Sequence, residues 1–498
     1  MSWPRRRTAA VLFPQALRRL SRSASMRVAI EGCCHGELDD IYGTLASVDR
    51  REGQQTDLLL TCGDFQALRN HADLHCFAVP DKYKRLGGFS DYYSGKKTAP
   101  LLTIVIGGNH EASNYMWELL APRIYYLGAA GSLLINGLRI SGISGIYKSH
   151  DYQSGRFETL PYDRSTVRST YHTREYDVFR LGQLSLAPPD VFLSHDWPLG
   201  IAHHGDLAGL LRYKPYFRQE IESNTLGSPP LMHLLRVLKP PFWFAAHLHA
   251  RFAALVKHDG SATQINRGSN QAQPAEADAP AGTDSINPDA ITLDDSTDEA
   301  EADALVPRRG VDESIDNTVA VNSFDNPDAI ALSDDEDTVA VEPPLLPLEA
   351  PLRAETIATR FLALSKCLPK QQFLHVMEMP SDPLEATGPT MTFDPYWLAI
   401  TRALHPWLTL ERRQKPLPYD PSIVKGLVEK EVQWVKDNLA DGGKIPVESV
   451  QQFACTAPTA EGASDSSAHP QSFTNPQTEA LMALLQLPNR INSKTSDS

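Results

Sequence analysis

Leu101-Leu102-Thr103-Ile104-Val105-Ile106-Gly107-Gly108-Asn109-His110-Glu111 decides the reading of this chain. Its first half is a run of apolar residues broken only by Thr103 and rich in β-branched side chains, the pattern of a strand buried on both faces. Two glycines stop the run, and Asn109, His110 and Glu111 follow at once. Polar side chains gathered just beyond a buried strand are how an α/β layered fold builds a site at one edge of its sheets.

The same arrangement recurs along the chain. Arg27–Glu31 precedes Cys33-Cys34-His35, and Asp57–Thr61 precedes Gly63-Asp64. Val191–Leu193 precedes Ser194-His195-Asp196, and Phe242–Ala246 precedes His247-Leu248-His249. Helices are predicted over Glu37–Val48 and Glu111–Leu120. Leu133–Ile135 and Arg139–Ile143 flank Asn136-Gly137, a strong hairpin signal. Short apolar strands alternating with helices, with hairpins later, predict an α/β layered sandwich from Met26 to about Asn270.

The residue types suit a metal centre. One carboxylate, Asp64, can bridge two divalent ions, and imidazoles from His35, His195, His247 and His249 suit zinc, iron or manganese. Asn109 offers a neutral oxygen. Two ions about 3.5–4 Å apart can clamp a phosphate and activate a water. His110 lies beside a ligand and can face a leaving group as its proton donor. Each motif alone is weak; their order and their common place at strand ends carry the inference. Ser149-His150-Asp151 superficially suggests a serine triad, but adjacent residues point in different directions.

The length of 498 residues allows two or three domains, with 42% hydrophobic and 22% charged residues, ordinary globular values. No apolar run reaches the roughly 18–20 residues of a membrane span. Six scattered cysteines are too few for a disulfide framework, which argues for a reducing compartment. The net charge of −14 is misleading, because residues 271–350 alone carry −19 and the rest of the chain +5. That acidic stretch repeats Asn287-Pro288-Asp289-Ala290-Ile291 at Asn326–Ile330 and reads as a disordered linker. Residues 1–25 form a basic extension, read as a tail, a start upstream of Met26, or a mitochondrial presequence. After the linker a smaller α+β domain is expected over residues 351–490. Its strands are placed at Thr359–Leu364 and Phe373–Met377, and helices at Pro421–Leu439 and Thr478–Leu487, with Thr456–Gln471 loose.

The motif series is that of the calcineurin-like metallophosphoesterases, and the opening Arg27–Asp39, with Gly32-Cys33-Cys34-His35-Gly36, resembles RNA lariat debranching enzymes. The likeness continues through Cys62–Gln66, Gly107–Glu111, Gly145–Tyr152, Ser194–Pro198, Asn224–Pro229 and Ala246–His249. Thr359–Pro369 and Asp394–Ile400 match that family's own C-terminal domain. The resemblance implies a two-layer β-sandwich flanked by helices and a dinuclear site. Cys33, His35, Asp64 and His249 fall on one metal pocket, Asp64, Asn109, His195 and His247 on the other, and His110 on the general acid. The superfamily usually opens Asp-x-His, so Cys33 is a departure. A thiolate there favours Zn²⁺ or Fe²⁺ over magnesium, with Mn²⁺ also a candidate and one or two ions per site. The other reading of Cys33 is an inert buried thiol; Cys34 reads as packing.

Debranching enzymes are similar in carrying a lariat-recognition loop after the third motif. The polar, aromatic and basic segment with His150, Tyr152, Arg156, Tyr162, Arg164 and Arg168 is the candidate. Arginines contact phosphates and aromatics stack on unpaired bases. The resemblance implies hydrolysis of the 2′–5′ bond of branched (lariat) RNA in intron turnover. It also implies a nuclear monomer without membrane attachment, working alongside spliceosome-associated or intron-turnover proteins. The rival readings are a generic phosphatase or 3′–5′ nuclease on the same fold, and an inactive scaffold.

Overall fold

The computed structural model describes residues 24–258, 358–462 and 469–491. The acidic stretch 271–350, residues 1–23 of the basic extension and part of Thr456–Gln471 lie outside the described residues.

The strands are β1 (Ala24–Glu31), β2 (Leu58–Thr61), β3 (Leu102–Val105), β4 (Leu119–Ala121), β5 (Ile124–Tyr126), β6 (Ala130–Ile135) and β7 (Leu138–Ile143). There follow β8 (Val191–Ser194), β9 (Phe242–Ala245), β10 (Phe252–Lys257), β11 (Ala358–Ala363), β12 (Leu374–Ser381) and β13 (Met391–Phe393). They form a six-stranded sheet, β12-β1-β2-β3-β5-β4, and a seven-stranded sheet, β10-β11-β9-β8-β7-β6-β13. The centre of each is parallel: β1, β2 and β3 in one, and β7, β8, β9 and β11 in the other. Parallel strands are covered on both faces, and every residue of β2, β8 and β9 is buried. Asn136 and Gly137 sit at φ 44° and 74°, the left-handed pair that turns β6 tightly into β7.

Helix Leu38–Glu52 lays Leu38, Ile41, Tyr42 and Leu45 on the first sheet, in a cluster with Phe65, Phe89, Tyr93 and Tyr115. The second sheet is covered by helices Glu175–Gly182, Pro229–Leu238 and Pro395–Leu404, around Phe192, Trp197, Trp243 and Phe361. The helix Pro421–Asn438 adds Val424 and Val428 to that cluster. Its N-cap Asp420 accepts from Ser422 N, and the following proline supplies a preset φ at the first helical position.

The C-terminal region is woven into both sheets. β11 lies between β9 and β10, β12 runs antiparallel to β1, and β13 runs antiparallel to β6. Asp394, which caps helix Pro395–Leu404, also accepts from Arg139 Nε at 2.8 Å and Ser132 Oγ at 2.7 Å on β7 and β6.

One predicted element is corrected. No helix spans Glu111–Leu120; the chain makes a single 3₁₀ turn, Ser113–Tyr115, and then β4. The Glu111 side chain turns inward to collect backbone N–H groups, and Ala112 and Met116 leave the helical region at ψ 78° and 76°. Tertiary bonding overrides helix propensity here.

Candidate metal centre

The parallel strands β1, β2, β3, β8 and β9 deliver their following loops to one edge, and there the predicted side chains meet. Asp64, 1% exposed, stands at the centre. On one side His35 Nε2 is 3.6 Å from Asp64 Oδ2 and 3.2 Å from His249 Nε2. Donor atoms of Cys33, His35, Asp64 and His249 all lie within 4.8 Å of one another. On the other side His195 Nε2 is 3.3 Å from Asp64 Oδ1 and 3.1 Å from Asn109 Oδ1. The His247 ring lies 5.0 Å from that of His195. A thiol, imidazoles, a carboxylate and an amide oxygen around one buried carboxylate form a donor set that fits one or two transition-metal ions.

The backbone is bent to achieve this. His35, Asp64, His247 and His249 have φ of 47°, 51°, 62° and 48°, a left-handed conformation uncommon for residues with a Cβ. Such strain persists where the surroundings over-determine it, commonly at functional sites. Gly108 shows how tightly the loops approach. A Cβ there would lie 2.2 Å from Asp64 Oδ1 and 2.7 Å from His195 Cε1, so only glycine leaves the carboxylate its place.

Supporting bonds orient the donors. His195 Nδ1 donates to the Cys62 carbonyl at 2.7 Å, which turns Nε2 toward Asp64 and Asn109. The next turn is fastened by Trp197, fully buried, whose indole N–H donates to the Ala246 carbonyl at 2.8 Å. Cys33 Sγ accepts the His247 N–H at 3.2 Å, so this thiol faces the site, whereas Cys34 packs in the cluster beneath helix Leu38–Glu52.

The electrostatics suit cation binding. Burial lowers His35 to about 4 and His247 to about 3, and it takes His249 well below the ordinary value. These imidazoles are neutral near pH 7 and present lone pairs. Burial also opposes a charge on His195, but Asp64 outweighs it and raises the group. Burial penalises the Asp64 carboxylate in turn, and His195 and His110 outweigh that penalty and hold it well below the usual range. The Cys33 thiol is raised by burial and by Asp64.

His110 sits beside these groups, 6% exposed. Its backbone N–H donates to Asp64 Oδ1 at 2.9 Å, its Nε2 lies 3.0 Å from Asn109 Nδ2, and its ring is 5.8 Å from that of His35.

Glu111 escaped the sequence reading, although it lies within the Gly-Asn-His-Glu motif. Its carboxylate accepts the N–H groups of Phe65, Gln66 and Gly108, each at 2.8 Å, and so ties the loop after β2 to the loop after β3. Burial and Asp64 raise it to about 7, while the three N–H donors hold it down. Glu111→Ala strands three buried donors at about 1–3 kcal/mol each. It is expected to lower the melting temperature by several degrees and reduce bound metal per chain, measured by calorimetry and elemental analysis. Unchanged metal content would show that the two loops hold their positions without this carboxylate.

The predicted RNA-binding segment divides. Arg156 is not presented as an outward cation: its guanidinium donates to the Thr170 carbonyl at 2.9 Å and to Asp177 at 2.6 Å. Tyr152 is half-buried with its ring 5.5 Å from Tyr147, and Tyr162 is half-buried. His150 and Arg164 are exposed and Arg168 partly so. Asp151 accepts from His172 Nδ1 at 2.6 Å, which fastens both ends of the segment. The C-terminal region supports its base: Gly155 N donates to Arg412 O at 3.1 Å and Arg156 N to Thr409 O at 3.0 Å.

This sheet architecture, with polar donors collected at one edge around a shared carboxylate, defines a metal-dependent phosphoesterase. Residues 26–251 match the calcineurin-like phosphoesterase family. Residues 356–490 match a second family description, "Lariat debranching enzyme, C-terminal domain". The chain is 40% identical over 471 residues to the lariat debranching enzyme of Schizosaccharomyces pombe, covering 93% of this chain and 96% of that one. It is 38% identical to the Homo sapiens enzyme of that name, covering 95% of this chain and 68% of that one. With the Arabidopsis thaliana enzyme the identity is again 38%, over 94% and 88%. The chain belongs to the lariat debranching enzyme family.

Proposed function

We propose that this chain hydrolyses the 2′–5′ phosphodiester at the branch point of lariat RNA, yielding linear intron for turnover. The observation that carries the reading is the convergence of two donor groups on the single buried carboxylate of Asp64, in a chain of this family. Cys33, His35, Asp64 and His249 would hold one ion, and Asp64, Asn109, His195 and His247 a second. Zn²⁺, Fe²⁺ and Mn²⁺ are the candidates, and Cys33 favours the softer of them. When bound, divalent ions supply charge stabilisation for the phosphate and an activated water.

The chain's own residues do the rest. His110 protonates the departing 2′-oxygen. Burial lowers its proton affinity in the structure and Asp64 raises it; an anionic phosphodiester seated against the ring raises it further. His150, Arg164 and Arg168 offer contacts to RNA phosphates and bases, Tyr152 and Tyr162 line the segment, and Arg156 positions it. The nucleus and intron-turnover proteins follow from this substrate, and a monomer suffices for the site. No helix among the described residues is long and apolar enough to cross a membrane.

The test is digestion of a synthetic 2′–5′ branched RNA beside its linear 3′–5′ isomer, with Mn²⁺, Fe²⁺ or Zn²⁺ added separately under anaerobic conditions. Selective release at the 2′ bond is expected. Equal cleavage of both RNAs would leave a generic nuclease, and cleavage of neither with any metal would leave a scaffold.

A further inference from the structure

We propose that His150, Asp151 and His172 form a second metal site, which takes a Zn²⁺ ion and fastens the root of the segment that carries Arg164 and Arg168. The site shares no residue with the centre around Asp64, and it stands whatever the substrate of that centre is.

The two ends of the segment are joined by the backbone. Ile146 N donates to Tyr171 O at 3.2 Å, and Thr173 N donates to Ile146 O at 2.9 Å. Gly145 permits the approach: its φ is 85°, and a Cβ there would lie 1.8 Å from Tyr171 O. This joint sets His172 against the turn Ser149–Tyr152. Donor atoms of His150, Asp151 and His172 all lie within 4.8 Å of one another. Asp151 Oδ2 is 2.6 Å from His172 Nδ1 and 3.5 Å from His150 Nε2. Asp151 and His172 are 7% and 5% exposed, whereas His150 is an exposed side chain.

Two imidazoles and a carboxylate are a zinc donor set, with a fourth position left to water. Zinc–donor bonds of about 2.0–2.2 Å place tetrahedral donors roughly 3.3–3.5 Å apart. The His150–Asp151 pair has that separation. The His172–Asp151 pair is shorter because a hydrogen lies between the two atoms. Burial takes His172 down to about 4 against the pull of Asp151, so the ring is neutral near pH 7. With its one hydrogen on Nε2, Nδ1 presents a lone pair, zinc takes the place of the hydrogen, and the pair opens. His150 turns at the surface to close the third side. The opposing charge is Arg174, whose Nη1 lies 4.0 Å from Asp151 Oδ1. That guanidinium is paired with Glu158 and faces Oδ1, which leaves Oδ2 to the imidazoles. The ion adds the turn at the start of the segment to the joint at its end. Because His150 opens the site to solvent, the ion exchanges and leaves on dialysis.

The test is zinc titration of the dialysed full chain by calorimetry, with backbone hydrogen exchange followed at Ile146, Asp151 and Thr173. Wild type, His150→Ala and His203→Ala are compared, the last removing an exposed histidine elsewhere on the surface. Wild type and His203→Ala are expected to take up one more zinc than His150→Ala. At zinc a hundred times its dissociation constant, exchange that requires the joint to open should slow about a hundredfold in those two proteins. His150→Ala should show no slowing, and magnesium, which disfavours imidazole, should give none in any protein. Equal uptake by His150→Ala, or loss of the extra zinc in His203→Ala, would leave an adventitious ion only. No extra uptake by wild type, or uptake that leaves exchange at the three amides unchanged, would also overturn the proposal. None of these readouts depends on cleavage of RNA, so failure of the function proposed above leaves them standing.

Discussion

Replacing His110 with alanine is expected to abolish turnover of branched RNA while leaving the metal content near the wild-type value. The expected loss is about 10²–10⁴-fold in kcat, the range for removing a positioned general acid. The structure separates the two roles of this residue. Its backbone N–H, which steadies Asp64 Oδ1 at 2.9 Å, survives the substitution. Its ring lies outside the group of donors centred on Cys33, His35, Asp64 and His249. Only the imidazole beside Asn109 is lost. A substrate with a leaving group that needs no proton, such as a nitrophenyl 2′-ester, should recover most of the rate. Loss of metal in His110→Ala would move the residue from acid to ligand, and failure of the activated substrate to recover would remove the acid role.

The parts of this site that lay open in the sequence are those a single strand end can carry. A parallel strand buried on both faces reads as an apolar run, and the donors follow it directly, so the placement of Asp64, Asn109, His195, His247 and His249 was legible locally. Three features were not. The inward turn of Glu111 depends on N–H groups from residues 65, 66 and 108, and no periodicity marks it. The insertion of β11 between β9 and β10 joins residues about a hundred positions apart, whose pairing leaves no local trace. Arg156 has the same composition signal as Arg164, yet burial beside Asp177 gives it an internal partner. Sequence spacing showed which residues reach the edge, and the pairing of strands decides what surrounds them there.

Asp64→Asn is expected to remove nearly all bound metal and all activity, whereas Cys33→Ser should lose only the ion on the His35 and His249 side. Asparagine keeps an oxygen to accept the His110 N–H at the Oδ1 position, so the backbone loses little. What it removes is the one negative charge common to both donor groups, lying 3.6 Å from His35 Nε2 and 3.3 Å from His195 Nε2. The remaining donors are neutral imidazoles, an amide and a thiol raised by burial, a weak set for a divalent ion without that charge. The metal-free protein also loses the pairing that raises His195, so proton uptake by this imidazole should shift to lower pH in Asp64→Asn. Elemental analysis after dialysis gives the stoichiometry, and histidine proton resonances followed against pH give the second readout. Retention of one full equivalent by Asp64→Asn, with loss of the other, would show that the carboxylate serves a single pocket and that the two ions are held independently.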